Sequence, residues 1–155
     1  MIFVTVGTQL PFDRLIKEVD KMAEITNEKF ICQVGESKYI AKNIDCKPFY
    51  EPDSVMSLMN DCEFIIAHAG MGSIISAIQL NKSIIVVPRQ IKYNEHRNDH
   101  QIATAELFRN TKGVYVCDSL SELSLLIQNK NNLLTPTCES GEVGLAEAIK
   151  VYIES

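Results

Sequence analysis

The chain has 155 residues, enough for one domain with a substantial hydrophobic core. Apolar residues make up 46% and charged residues 23%, which is ordinary globular usage and excludes a disordered or fibrous chain. The formal net charge of −5 argues against nucleic acid as a partner, because binding a phosphate backbone needs a basic surface. It also argues against direct contact with anionic lipid.

The N-terminal Met1-Ile2-Phe3-Val4-Thr5 carries no basic leader, and no apolar run approaches bilayer length. The expected location is cytoplasmic. The five cysteines, Cys32, Cys46, Cys62, Cys117 and Cys138, include no Cys-x-x-Cys pair, so neither a disulfide framework nor a zinc site is expected. Cys32 and Cys117 fall in strand-like runs and read as small core residues.

Residues 2–6 are β-branched and aromatic and predict a strand, broken by Gly7-Thr8-Gln9. Pro11 suits the first turn of a helix, and Leu15, Ile16, Val19, Met22 and Ala23 recur at helical spacing to about Thr26. A second strand is expected over 29–34, closed by Gly35, and a short third over 47–50. Pro52-Asp53-Ser54 opens a helix that runs through Leu58 and Met59. Residues 63–67 form the fourth strand, and 74–80 read as a helix.

Residues 83–87 are almost wholly apolar, the mark of a strand buried on both faces of a parallel sheet. Pro88 ends it. A polar stretch from Arg89 to Asp99 passes into a helix ending near Lys112-Gly113. A sixth strand covers 114–117. Ser121 and its neighbours cap a helix through Gln128, and a last helix is expected over 143–153; its apolar face of Val143, Leu145, Ala146, Ile149, Val151 and Ile153 is open to its own sheet or to a partner, with self-packing the expected case.

Alternating strands and helices imply an α/β, Rossmann-like parallel sheet of about six strands with helices on both faces, in a single domain over 1–155. Ligands on such sheets bind at the carboxyl ends of the strands. Three loops there are unusual: 7–12, 68–73 and 89–101.

His68-Ala69-Gly70-Met71-Gly72-Ser73 lies between a strand and a helix. Free backbone N–H groups and the helix dipole at such a turn favour an anion, most often phosphate. Gly70 and Gly72 let a ligand approach the backbone, and His68 and Ser73 add side-chain donors. The loop is neither a Walker loop nor the Gly-x-Gly-x-x-Gly fingerprint, which disfavours ATP hydrolysis and NAD. It also fails the Gly-x-Ser-x-Gly nucleophile elbow of serine hydrolases. A plain tight turn is the bland alternative.

The run Asn94-Glu95-His96-Arg97-Asn98-Asp99-His100-Gln101 is dense in hydrogen-bonding groups and suits a ligand with many hydroxyls, such as a sugar. Its bland alternative is a solvated loop with Asn98 or Asp99 as N-cap. His96 and His100 stand four apart and would pair on a metal if the segment were helical, but no third ligand is evident, so no metal is expected. Gly7 and Thr8 close the first strand at the same rim as the other loops. They mark either donor placement or a simple turn.

Val4-Thr5-Val6-Gly7-Thr8, the 68–73 loop, Ile85-Val86-Val87-Pro88-Arg89 and Glu95-His96-x-Asn98-Asp99-His100-Gln101 occur in this order over residues 2–130. Together they resemble the glycosyltransferase family 28 C-terminal domain. The likeness is strongest to its small stand-alone members, such as the cytosolic subunit of the N-glycan N-acetylglucosaminyltransferase and bacterial exopolysaccharide and capsule subunits. The resemblance implies the donor half of a GT-B enzyme, holding a UDP-sugar as substrate and using no cofactor. Gly70, Met71, Gly72 and Ser73 would hold the diphosphate, His68 would stand near it, and His100 and Gln101 would face the hexose. Many relatives carry a glutamate for the ribose three residues after the loop serine; this chain has Ser76 there.

The resemblance also implies a membrane-associated partner subunit that binds a lipid-linked glycan acceptor and recruits this chain to the inner face of the membrane. Homodimerisation stays open. By their chemistry His100, Asp99 and Glu95 are candidate bases, although in GT-B enzymes the base often comes from the acceptor side. The rival expectation is a non-catalytic subunit that stabilises or stimulates a related transferase.

Overall fold

Strands and helices alternate from Ile2 to Gln128, apart from two successive strands between residues 30 and 47, in the computed structural model, which describes residues 1–8 and 10–136. The order is β1 (Ile2–Thr5), α1 (Asp13–Thr26), β2 (Phe30–Gln33), β3 (Asp45–Lys47), α2 (Pro52–Asp61), β4 (Ile65–His68), α3 (Met71–Gln79), β5 (Ile84–Val87), α4 (His100–Phe108), β6 (Val114–Val116) and α5 (Leu120–Gln128). The expected helix over 143–153 and Cys138 lie outside the described residues.

All strands pair in parallel, in the order β3-β2-β1-β4-β5-β6. Successive strand side chains point to opposite faces, and both faces here are covered. Ile2, Val4, Ile66, Ile85 and Val87 meet Leu15, Ile16 and Val19 of α1 and Leu123 and Ile127 of α5. Phe3, Ile65, Ala67, Ile84 and Val86 meet Met59 of α2, Ile74, Ala77 and Ile78 of α3 and Phe108 of α4. Burial on both faces explains why Ile65–Ala67 of β4 and all of β5 read as unbroken apolar runs rather than alternating ones.

Several expected boundaries move. Helix α1 starts at Asp13 with Phe12 at its N-cap, so Pro11 precedes the helix instead of lying in its first turn. The third strand pairs over Asp45–Lys47, not 47–50, with Cys32 opposite Cys46. Pro48 has no N–H to extend a ladder. Helix α3 starts at Met71, inside the glycine loop rather than at Ile74. Helix α4 ends at Phe108, short of Lys112. Helix α5 is capped by Ser119 rather than Ser121, its side chain accepting the Glu122 N–H at 3.4 Å.

Two local features hold the ends of the sheet in place. Asp20, buried on α1, accepts hydrogen bonds from the Lys42 and Asn43 amides and the Tyr39 hydroxyl, which anchors the loop between β2 and β3. Gly113, at φ +87°, packs so closely on Pro136 that a Cβ there would lie 2.3 Å from the proline nitrogen. Only glycine fits both the conformation and the space. Among the described residues no helix is long and apolar enough to cross a membrane.

Candidate functional site

The strand order reverses direction between β1 and β4. In open α/β sheets that switch point leaves a crevice outside the carboxyl ends of the strands. A pocket of about 240 Å³ occupies it, lined by Val6, Gly7, Thr8 and Leu10 after β1, His68 at the end of β4, Arg89 after β5, and His96 and Gln101. A larger cleft, about 620 Å³, lies on the outer flank of α1 against Tyr93 and Glu95. Loop 68–73 does not line that cleft, and Arg14 and Glu95 within it neutralise one another.

The end of β1 is shaped by a buried polar relay. The Tyr50 amide donates to Gln33 Oε1 at 2.9 Å, and Gln33 Nε2 donates to Thr5 Oγ1 at 3.1 Å. Thr5 Oγ1 also accepts the Gly7 N–H at 3.3 Å. Gly7 then turns at φ +76°, a left-handed conformation that favours glycine.

His68 Nδ1 lies 3.3 Å from the Thr5 carbonyl oxygen. A carbonyl only accepts, so Nδ1 carries the proton and Nε2 keeps its lone pair. The imidazole rests on Gly70: a Cβ at that position would come within 2.3 Å of His68 Nε2. Gly70 is therefore glycine to admit the ring, since its own backbone is extended and open to any residue. Gly72 differs, because a Cβ there meets nothing within 4 Å among the described residues.

Met71, Gly72 and Ser73 form the first turn of α3, where amides have no intrahelical acceptor. Gly70 at the N-cap provides no side-chain cap, and the first turn holds no acidic residue. The helix thus presents unpaired N–H groups and a positive dipole end beside the pocket. Ser76 follows one turn on, half-buried on the same helix.

Burial pushes the His68 imidazole down to about 4, and the nearby Arg89 and His96 charges add to this against the opposing Thr5 carbonyl. His68 is neutral at pH 7. Its pKa is lower folded than unfolded, where it lies near 6.5. The unfolded chain therefore takes the proton first as pH falls. Stability is full above about 6.5 and declines toward pH 4. Against a His68→Gln variant, wild type should lose about 3 kcal/mol more over that window, read by urea unfolding at successive pH values. Parallel pH curves for the two proteins would contradict the buried neutral imidazole.

The 94–101 run does not act as one unit. Glu95 is buried and turned to α1, where Arg14 Nε donates to Oε2 at 2.8 Å and Nη2 to Oε1 at 3.0 Å. Glu95 Oε1 also accepts the Gln90 N–H at 3.1 Å. Arg14 stacks over the Tyr93 ring, 4.4 Å from its centroid. Asp99 Oδ1 accepts the Ile91 N–H at 2.9 Å, and Asn98 Oδ1 accepts the His100 N–H at 2.8 Å. Asp99 and His100 are exposed at the start of α4. His96 precedes that helix, so His96 and His100 do not share a helix face. Gln101 is buried, and its Oε1 accepts the Arg89 N–H at 2.9 Å.

Gly7, Thr8, His68 and Gln101 thus share one pocket, with Gly70–Ser73 at the adjacent helix end, whereas Glu95 belongs to a neighbouring ion pair. Sequence reasoning passed over Arg89 and Arg14. The available signal for Arg89 was a charged residue directly after a fully apolar strand.

Fold and site define a Rossmann-like α/β domain with a helix end that no side chain caps at its switch point. The chain belongs to glycosyltransferase family 28: residues 1–148 match the model of the glycosyltransferase family 28 C-terminal domain. It is 30% identical over 126 residues to the UDP-N-acetylglucosamine transferase subunit ALG13 of Yarrowia lipolytica, covering 70% of this chain and 61% of that one. It is 27% identical to the UDP-N-acetylglucosamine--N-acetylmuramyl-(pentapeptide) pyrophosphoryl-undecaprenol N-acetylglucosamine transferase of Prochlorococcus marinus, covering 82% of this chain and 35% of that one. Against human ALG13 the match spans only 11% of the relative's length.

Solved structures share the fold. An NMR structure of ALG13 superposes with a TM-score of 0.60 at 19% identity, covering 87% of each chain. Acinetobacter baumannii MurG gives 0.62 at 18% identity, covering 92% of this chain and 43% of that one.

Proposed function

We propose that this chain is the donor-binding, catalytic subunit of an inverting UDP-sugar glycosyltransferase. The observation that carries the reading is the uncapped N-terminus of α3, with open space over Gly72, at the switch point of the sheet. The diphosphate sits on the amides of Met71, Gly72 and Ser73, with His68 beside it. Ser76 lies one turn further for the ribose, and Gln101 and His100 face the hexose.

The acceptor hydroxyl attacks the anomeric carbon as the bond to the diphosphate oxygen breaks, inverting that centre. Negative charge grows on the leaving UDP, and fixed N–H dipoles that stabilise it lower the barrier. Glu95 and Asp99 are engaged by Arg14 and by the Ile91 amide, which favours a base supplied from the acceptor side. His100, exposed at the rim, is the remaining base candidate of this chain.

The acceptor is a lipid-linked glycan brought by a membrane-associated partner subunit, in exopolysaccharide or capsule synthesis at the cytoplasmic face. Two named relatives are transferase subunits, which supports a divided enzyme. The rival role, a non-catalytic subunit, predicts full turnover with partner after His100→Ala.

Calorimetric titration with UDP, UDP-N-acetylglucosamine, UDP-galactose and UDP-glucuronic acid, with NAD as control, tests the reading. Binding of the UDP forms without NAD is the expected result, and the tightest sugar identifies the donor. Equal binding of NAD, or no binding of any UDP form, would overturn it.

A further inference from the structure

Arg89 carries the most unusual charge in the molecule. It is 3% exposed at the carboxyl end of β5, yet it lines the switch-point pocket beside Gly7 and His68. Its Nη2 donates to two carbonyl oxygens, Val6 and Leu10, each at 2.6 Å. Among the described residues its enclosed Nε finds no hydrogen-bond partner, and Nη1 donates to none. Among the described residues no carboxylate pairs with it, because the neighbouring Glu95 is held by Arg14. Buried cations are normally paired, since removal from water without a counter-charge is costly. A guanidinium offers five donors in a planar fork matched to phosphate oxygens. Two of these demands are met by the loop after β1, and the rest remain open.

We propose that Arg89 is the fixed cation of the donor pocket, recognising the diphosphate of the nucleotide while holding the 6–10 loop over it. This rests on the reading of the site given above. His68 is neutral, so Arg89 supplies the positive charge that complements the helix amides. The two roles share one side chain: Nη2 fixes the loop, and Nη1, which is not enclosed, meets the anion. Lysine offers charge but no fork, and methionine offers length without charge.

The test is titration of wild type, Arg89→Met and Arg89→Lys with UDP, uridine and inorganic pyrophosphate. Arg89→Met should weaken UDP by about thirtyfold or more, the scale of one lost charge-assisted contact, while changing uridine by less than about threefold. Pyrophosphate binding should vanish with it. Arg89→Lys should fall between. Equal weakening of UDP and uridine would reduce Arg89 to a loop pin and overturn the proposal, as would unchanged UDP affinity.

Should Arg89→Met fail to fold, the wild-type guanidinium N–H resonances decide. They should move on addition of UDP or pyrophosphate and stay fixed with uridine; stationary peaks at saturating UDP would overturn the proposal. Arg89-dependent pyrophosphate binding with no UDP binding would keep the cation and overturn the nucleotide reading. A wild type silent to all three would overturn both.

Discussion

Gly72→Val is expected to abolish UDP-sugar binding and leave the fold intact. A Cβ at Gly72 meets nothing within 4 Å among the described residues, so none of them requires glycine there. Gly72 sits in the first turn of α3, where glycine is a poor helix former compared with other residues. Any advantage of glycine must come from what approaches the backbone from outside. Valine would place two methyl groups in that space and hold the ligand off the amides. Thermal unfolding should be unchanged or slightly raised, while UDP affinity should fall by roughly a hundredfold or more, the loss of about 3 kcal/mol of contact. Unchanged affinity would remove this loop as the diphosphate site. Gly70 makes a poorer test, because a Cβ there strikes the His68 ring and confuses ligand exclusion with rearrangement.

Glu95→Ala should give the largest loss of stability. The Glu95 side chain is 7% exposed and Arg14 19%, and the two meet through paired hydrogen bonds. Removing one partner of a buried pair leaves the other charge uncompensated, typically at about 3–5 kcal/mol. The Gln90 amide loses its acceptor as well, so the 89–95 segment loses its tie to α1. Urea unfolding would show the effect as a lowered midpoint, and a double-mutant cycle with Arg14→Ala should recover much of it as coupling. A loss below about 1 kcal/mol would place the pair among ordinary surface ion pairs.

The same position separates anchor from base. Glu95→Gln keeps size and can still hydrogen-bond Arg14. If Glu95 only anchors, turnover with the partner subunit largely survives in Glu95→Gln. If it removes the acceptor proton, turnover collapses while stability is kept.

Residues close in sequence were read well where periodicity speaks. Ile84–Val87 and Ile65–Ala67 are apolar without interruption because both sheet faces are covered, and the helical spacing of Leu15, Ile16, Val19, Met22 and Ala23 matches the buried stripe of α1. Boundaries failed where local signals were weak. The three-residue edge strand β3 contains Asp45 and Lys47 and is half-exposed, so no apolar run marks it. Met71-Gly72-Ser73 has neither apolar period nor side-chain cap, so the start of α3 inside the glycine loop was not legible.

Legible in the chain alone are the near-regular succession of strands and helices, the parallel sheet that follows from it, and the glycine loop between β4 and α3. These are properties of short segments, governed by local periodicity and backbone freedom. Which polar residues meet emerges only once the chain is folded. Arg89 reaches carbonyls 83 and 79 positions away, and Arg14 reaches a carboxylate 81 positions away. In sequence both arginines look like solvated surface charge. The crossing of the β1–α1 loop over β5 buries one and pairs the other, and burial fixes what each charge must contact.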